Sequence, residues 1–301
     1  MKSIALKHQN PLASSELVLT DEGALYHLKL HPHQIAPNII VVGDQGRVKA
    51  VSKHFDAIDH RVENREFVTH TGRIGNFPIS VLSTGIGTDN IDIVVNELDA
   101  LFNIDLKTRQ IKPETTALRI IRMGTSGALQ ADLPVETMLL SSFGMGLDPV
   151  TSYYKSQFEG EELELQKAWV QHSKWPEHMA QPYFVKAGEK LLEQLRGDDM
   201  NEGITATAAG FYGPQGRSLR LPLQMNDLNE QLNTFRHGNH RITNFEMETS
   251  ALYALSSMLG HEAATVCTII ANRFNKTFSR DYHPAVNRMI ATVLERLTSG
   301  Y

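Results

Sequence analysis

Runs of β-branched and aliphatic residues recur along the chain, and each ends near glycine, asparagine or aspartate. They are NIIVVGD (38–44), FPISVLSTG (77–85), LRIIRMGTSG (118–127), GITATAAG (203–210) and AATVCTIIANR (263–273). Short apolar runs of this kind predict buried strands that finish in tight turns. Between them, residues 46–56, 88–102, 187–196, 247–260 and 283–297 carry apolar positions at helical spacing. Thr88-Asp89-Asn90 reads as a helix cap. Leu259-Gly260 reads as a helix stop. The alternation predicts an α/β fold, a mixed and mostly parallel central sheet flanked by helices on both faces. Residues 65–74 and 77–85 are separated only by Gly75-Asn76, which predicts an antiparallel hairpin in the same sheet. No Pro/Gly/Ser linker interrupts the pattern, so residues 1–301 read as one domain, with 1–24 as an N-terminal extension. The more polar stretch 148–180 reads as an excursion, a helix and loop near the rim of the site.

Composition narrows the classes. Hydrophobic residues make up 41% of the 301, and the formal charge is -5. The chain is therefore globular, and its charge gives no reason to expect nucleic acid as a partner. Cys267 is the single cysteine. No internal disulfide can form, which fits a reducing cytoplasm, and the thiol itself reads as core. The first twenty residues lack the apolar stretch of a signal peptide, and no run approaches the ~20 residues of a membrane helix. A cytoplasmic protein without a membrane partner is expected. His31-Pro32-His33 has poor spacing for a metal site, so no metal is expected. Trp169 and Trp175 fall in the polar excursion and are expected to pack locally or to cover the site.

The chemistry gathers at the strand ends, where open parallel sheets bind ligands. Gly43 lets a backbone N–H approach an anion, and Arg47 supplies a forked cation. Read alone, this is a strand-to-helix turn with a solvated arginine. Arg122 lies inside an apolar strand, with Thr125 and two glycines after it. Such an arginine faces either an oxyanion or a structural carboxylate. Glu246 and Glu248 open a helix, where acids are commonly caps or dipole partners. A carboxylate there could also accept both hydrogen bonds of a vicinal diol such as ribose. In AGFYGPQGRSLR (209–220), Phe211 or Tyr212 offers a face for a flat ring. Gln215 offers a planar donor–acceptor edge that matches an imide, and Arg217 a charge for a departing heterocycle. Anion, diol and planar heterocycle together describe a nucleoside with phosphate.

As an ordered set, GDQGR, STGIGTDN, RMGTSGALQ, FYGPQGR, NFEMETSAL and TIIANR resemble the nucleoside phosphorylase superfamily, and within it the uridine phosphorylases. The resemblance spans roughly residues 25–295 and is weakest over 141–200. It implies a phosphate site of Gly43, Arg47, Arg122 and Thr125, a ribose site of Met247, Glu248 and Thr125, and a base site of Phe211, Gln215, Arg217, Ile270 and Arg273. It also implies two residues lent by a neighbouring subunit, hence a homo-oligomer, a dimer or a hexamer. His27 of YHLKL is the candidate for the ribose side, against the reading of a surface histidine. For the phosphate side the hairpin offers Arg65 and Arg73, of which Arg65 is the candidate. Purine phosphorylases carry an acid after the last long strand. Asn272 stands here instead, which favours a pyrimidine. The implied reaction is phosphorolysis of uridine or a related nucleoside with Arg122, Arg217 and Glu248 as its catalytic groups. Inorganic phosphate is a co-substrate and no cofactor is expected. A purine phosphorylase, a hydrolytic nucleosidase of the same fold and a non-catalytic nucleoside-binding protein are the alternatives.

Overall fold

The computed structural model describes residues 10–299, so the first nine residues of the expected N-terminal extension lie outside it. In chain order the elements begin with β1 (Asn38–Val42), α1 (Gln45–Ser52), β2 (Ala57–Asn64), β3 (Phe67–Ile74), β4 (Phe77–Ser83) and α2 (Thr88–Asn103). Next come β5 (Ile104–Asp105), β6 (Gln110–Ile111), β7 (Arg119–Ala128), β8 (Met138–Gly146), α3 (Glu161–Ser173), β9 (Tyr183–Lys186) and α4 (Glu189–Leu195). The chain closes with β10 (Met200–Thr207), α5 (Leu228–Thr234), β11 (Arg236–His237), β12 (His240–Glu246), α6 (Thr249–Leu259), β13 (Glu262–Asn272), β14 (Thr277–Phe278) and α7 (His283–Thr298).

All five expected strands and all five expected helices form, with shifted ends. One sheet runs β11-β12-β10-β8-β13-β7-β1-β4-β3-β2. β1, β4, β7 and β13 are parallel. The β3–β4 pairing is the expected hairpin, and β2 extends it at the edge. β8 runs antiparallel to β13, and β10 and β12 follow β8 in parallel. β12 then pairs antiparallel with the end of β7, Asn244 opposite Ala128 and Phe245 opposite Gly127. The sheet thus curls back on itself through β7, β13, β8, β10 and β12. The carboxyl ends of the expected strands therefore do not all point one way, because β10 opposes β1, β4, β7 and β13.

α6 is buried on nearly every side, as a helix apolar all round must be, and packs against β8, β10 and β13. The larger core joins β1, β4 and β7 to α1, α2, α6 and α7. A second core holds Leu165, Trp169, Trp175, Phe184, Phe235 and Phe245 under α3 and α5. The stretch 148–180 is thus less of an excursion than its composition predicts, since both tryptophans are core residues. No helix among the described residues is long and apolar enough to cross a membrane.

Candidate active site

The curl of the sheet builds the centre. Because β12 runs antiparallel along β7, the chain after Phe245 travels back toward Arg122. Nη2 of Arg122 donates to Oε2 of Glu248 and lies 3.4 Å from Oε2 of Glu246. Its Nη1 lies 3.4 Å from Sγ of Cys267 on β13. All four side chains are buried. A Cβ on Gly124 would sit 1.8 Å from Nη1 of Arg122, so the guanidinium lies across a backbone that only glycine leaves open. Burial disfavours the Arg122 cation, but the Glu248 and Glu246 charges more than reverse this and raise its pKa. The structural ion pair weighed for Arg122 is therefore present, and its burial does not by itself demand an oxyanion.

The two glutamates divide their work. Glu246 accepts from the backbone N–H of Glu248 at 3.0 Å and of Thr249 at 3.0 Å, and from the Thr207 hydroxyl at 2.6 Å. It caps α6, as its position at a helix start predicts. Burial raises its pKa against the Arg122 charge. Glu248 instead bridges two distant segments. Its Oε1 accepts from the N–H of Gly87 at 2.8 Å while its Oε2 meets Arg122. Gly87 has φ 101°, a backbone that favours glycine and turns its N–H inward at the start of α2. Met247, half-buried, sits in the turn between them.

Arg47 leaves α1 toward the same strand, and its Nη1 donates to the carbonyl of Met123 at 3.2 Å. Burial lowers its pKa, and the Arg122 charge lowers it further. Two guanidiniums thus face Met123 and Gly124 from different elements, near the half-buried Thr125. Gly43 follows β1, and a Cβ there would lie 3.4 Å from the carbonyl of Gly85. An anion between Arg47 and Arg122 would relieve their repulsion.

The base-side residues come from the loop after β10 and the end of β13. Gln215 is buried, and its Oε1 accepts from Nη1 of Arg217 at 2.6 Å. That bond orients the carboxamide and leaves its NH2 as the donor edge. The Arg217 guanidinium stands 3.9 Å over the Phe211 ring and also donates to the Phe211 carbonyl at 2.5 Å. The face of Phe211 expected to stack on a base is therefore covered by Arg217 in this structure. Arg273 donates to the Gln215 carbonyl. Burial, then the Arg217 charge, disfavours the Arg273 cation. Ile270 falls at a register break in β13, where a bulge re-aims a side chain. The amide of Asn272 is engaged by its own surroundings. Its Nδ2 donates to the carbonyls of Gln130 and Leu133 at 2.8 Å, and its Oδ1 accepts from Phe274 and Asn275. Beside this loop lies a mostly apolar cavity of about 670 Å³ whose walls include Leu147, Trp175, Tyr212, Arg217 and Leu221.

His27 and Arg65 form a separate surface cluster. Nδ1 of His27 meets Oε1 of Glu97 at 2.6 Å, and the same carboxylate accepts from the N–H of His27 and Leu28. The Tyr26 ring packs edge-on against His27 and carries the Arg65 guanidinium over its face. The Arg65 carbonyl accepts from Gln45 of α1 at 2.6 Å, so its turn lies at the Gly43–Arg47 end of the sheet. Arg73 sits at the opposite end of β3, 3.7 Å from Asp59. Strand direction thus separates the two arginines.

Three contributors carried no site assignment in the sequence. Gly87 lies in the motif STGIGTDN, and the signal was two glycines two residues apart before a helix. Cys267 reads as core but also touches Arg122. Thr207 joins the strand β10 to Glu246.

The sequence profile of the phosphorylase superfamily matches residues 37–298. A nucleoside phosphorylase of Trypanosoma brucei, described as showing uridine phosphorylase activity, superposes with a TM-score of 0.86 at 30% identity, covering 95% of this chain and all of its own. A uridine phosphorylase of Thermococcus kodakarensis is 29% identical over 89% of this chain and 84% of its own length. A DeoD-type purine nucleoside phosphorylase of Anoxybacillus flavithermus is 25% identical over 89% of this chain and 97% of its own. With the profile match spanning most of its length, the chain belongs to the phosphorylase superfamily and is a pentosyltransferase.

Proposed function

We propose that the chain cleaves uridine, or a related pyrimidine nucleoside, with inorganic phosphate to give uracil and ribose 1-phosphate. The observation that carries this reading is the buried Glu248 carboxylate, held between Arg122 and the Gly87 N–H beside a second arginine, Arg47. The uridine phosphorylases among its relatives support the pyrimidine. On this reading Arg47, Arg122, Thr125 and the Gly43 N–H bind phosphate, with Arg65 of a neighbouring copy. Glu248 accepts from the ribose hydroxyls beside Met247, with His27 of that copy. Phe211, Gln215, Arg217, Ile270 and Arg273 hold the base. The bond from C1′ to the ring nitrogen breaks and its electron pair leaves with uracil. A phosphate oxygen then bonds to the electron-poor C1′, and the proton that the phosphate carried ends on the uracil nitrogen. Arg217 and the Gln215 NH2 stabilise the charge growing on the uracil oxygens, while position and fixed charge provide the rest. The homo-oligomer and a cytoplasmic setting are parts of the same reading.

The test is uridine cleavage with and without phosphate, with detection of ribose 1-phosphate. Phosphate-dependent formation of that product is expected. Free ribose at equal rates in both conditions would make the chain a hydrolase, and tight uridine binding without uracil release would make it a binding protein. Purine phosphorylases also stand among its relatives, and Asn272 is tied into its own turn rather than turned to a base. A panel of uridine, thymidine and inosine decides between the two base classes.

A further inference from the structure

Below this site lies a buried carboxylate that the phosphorolysis scheme leaves unused. Asp148 follows β8 and is wholly buried. The Tyr183 hydroxyl donates to it at 2.9 Å, the Ser250 hydroxyl at 2.8 Å and the Val150 N–H at 3.0 Å. Burial raises its pKa and these three bonds oppose the rise. Every one of these partners is neutral, an expensive setting for an anion that an asparagine would avoid.

The partners lead back to the centre. Ser250 lies in the first turn of α6, and its backbone N–H donates to the Thr207 hydroxyl oxygen at 2.9 Å. That hydroxyl donates to Oε1 of Glu246 at 2.6 Å. Glu246 accepts from the N–H of Glu248 at 3.0 Å. An unbroken path therefore runs from Asp148 through Ser250, Thr207 and Glu246 to the backbone of Glu248, and each of these residues is buried. Asp148 also lies against the positive end of α6, where an anion is favoured.

We propose that Asp148 is a positioning residue, which pins the first turn of α6 through Ser250 and so keeps Glu248 aligned with the ribose hydroxyls. The proposal rests on the role of Glu248 given above. Losing that alignment weakens two hydrogen bonds to a riboside but only one to a 2′-deoxyriboside. Asp148→Asn keeps the size and removes the charge. In the full-length enzyme it is expected to lower kcat/KM for uridine roughly tenfold, mainly through the nucleoside KM, and that for 2′-deoxyuridine only about threefold. The KM for phosphate stays as in the parent. Ser250→Ala cuts the same path at its hydroxyl, and should shift the uridine to deoxyuridine ratio in the same direction. It decides the matter if Asp148→Asn does not fold. Parallel losses on both nucleosides, or no loss, in an enzyme whose parent cleaves uridine would overturn the role of Asp148 alone. A parent inactive on uridine with phosphate would overturn the proposed function and this inference with it.

Discussion

Arg122 and Arg217 each bring a guanidinium to the candidate site, yet the protein holds them in opposite ways. Arg122 is buried among Glu246, Glu248 and Cys267, with its strand thinned to glycine beneath it. Arg217 is half-buried on a loop, stacked on a Phe211 ring that is itself 52% exposed. One charge is fixed before any ligand arrives. The other rests on an aromatic that it can leave. The difference teaches that the sugar–phosphate half is set by the fold, whereas the base half is set by local loop chemistry. Its consequence is that stability and activity are coupled on one side and separable on the other.

The largest expected effect comes from breaking the coupled side. Arg122→Ala leaves two buried carboxylates without their cation, a loss of about 3–5 kcal/mol. Turnover is expected to fall by roughly three orders of magnitude or more, since the phosphate loses its buried arginine and Glu248 its anchor. Urea unfolding and steady-state kinetics on the same preparation check both. Near-parental turnover would remove Arg122 from the phosphate site and leave only a structural ion pair.

Arg217→Ala probes the separable side. Activity should drop about a hundredfold, the usual cost of one group aimed at developing negative charge. Stability should stay within about 0.5 kcal/mol, because the side chain is half-exposed and pairs with a neutral amide and a ring. A large loss of stability would make the base loop part of the core and erase the contrast between the halves.

The same division governs what the sequence can reveal. The parallel strands and their helices are readable because near-continuous apolar runs have few other uses. β8 is not, because Ser141, Ser142, Gly144 and Gly146 make it look like a turn. Inside the sheet the Ser141 hydroxyl is satisfied across the strands, 2.5 Å from that of Thr205. β2 is hidden by its charges, which suit an exposed edge strand. The base loop is legible as chemistry because its residues sit within seven positions. The burial of Glu246 and Glu248 is not, since it follows from β12 folding back along β7, a pairing of residues more than a hundred positions apart. For the same reason the bonds of Asn272 are hidden from the sequence. Only the fold shows its amide committed to the carbonyls of Gln130 and Leu133.

The smallest expected effect tests how firmly the buried half is closed. Burial pushes the Cys267 thiol up to about 11, so at pH 8 it is protonated in the folded chain, and thiolate is the form that alkylates. Iodoacetamide should label the native protein far more slowly than the unfolded chain at that pH. The sign for stability follows from the same shift. The unfolded thiol, near 9.0, gives up its proton first, so its contribution is complete below that value and is lost as pH rises toward 11. Inorganic phosphate, by tightening the segment around Arg122, should slow labelling further. If Cys267 reacts quickly in the native protein at pH 8 with or without phosphate, the sugar–phosphate half opens as readily as the base loop, and its fixed charge cannot be what separates the two.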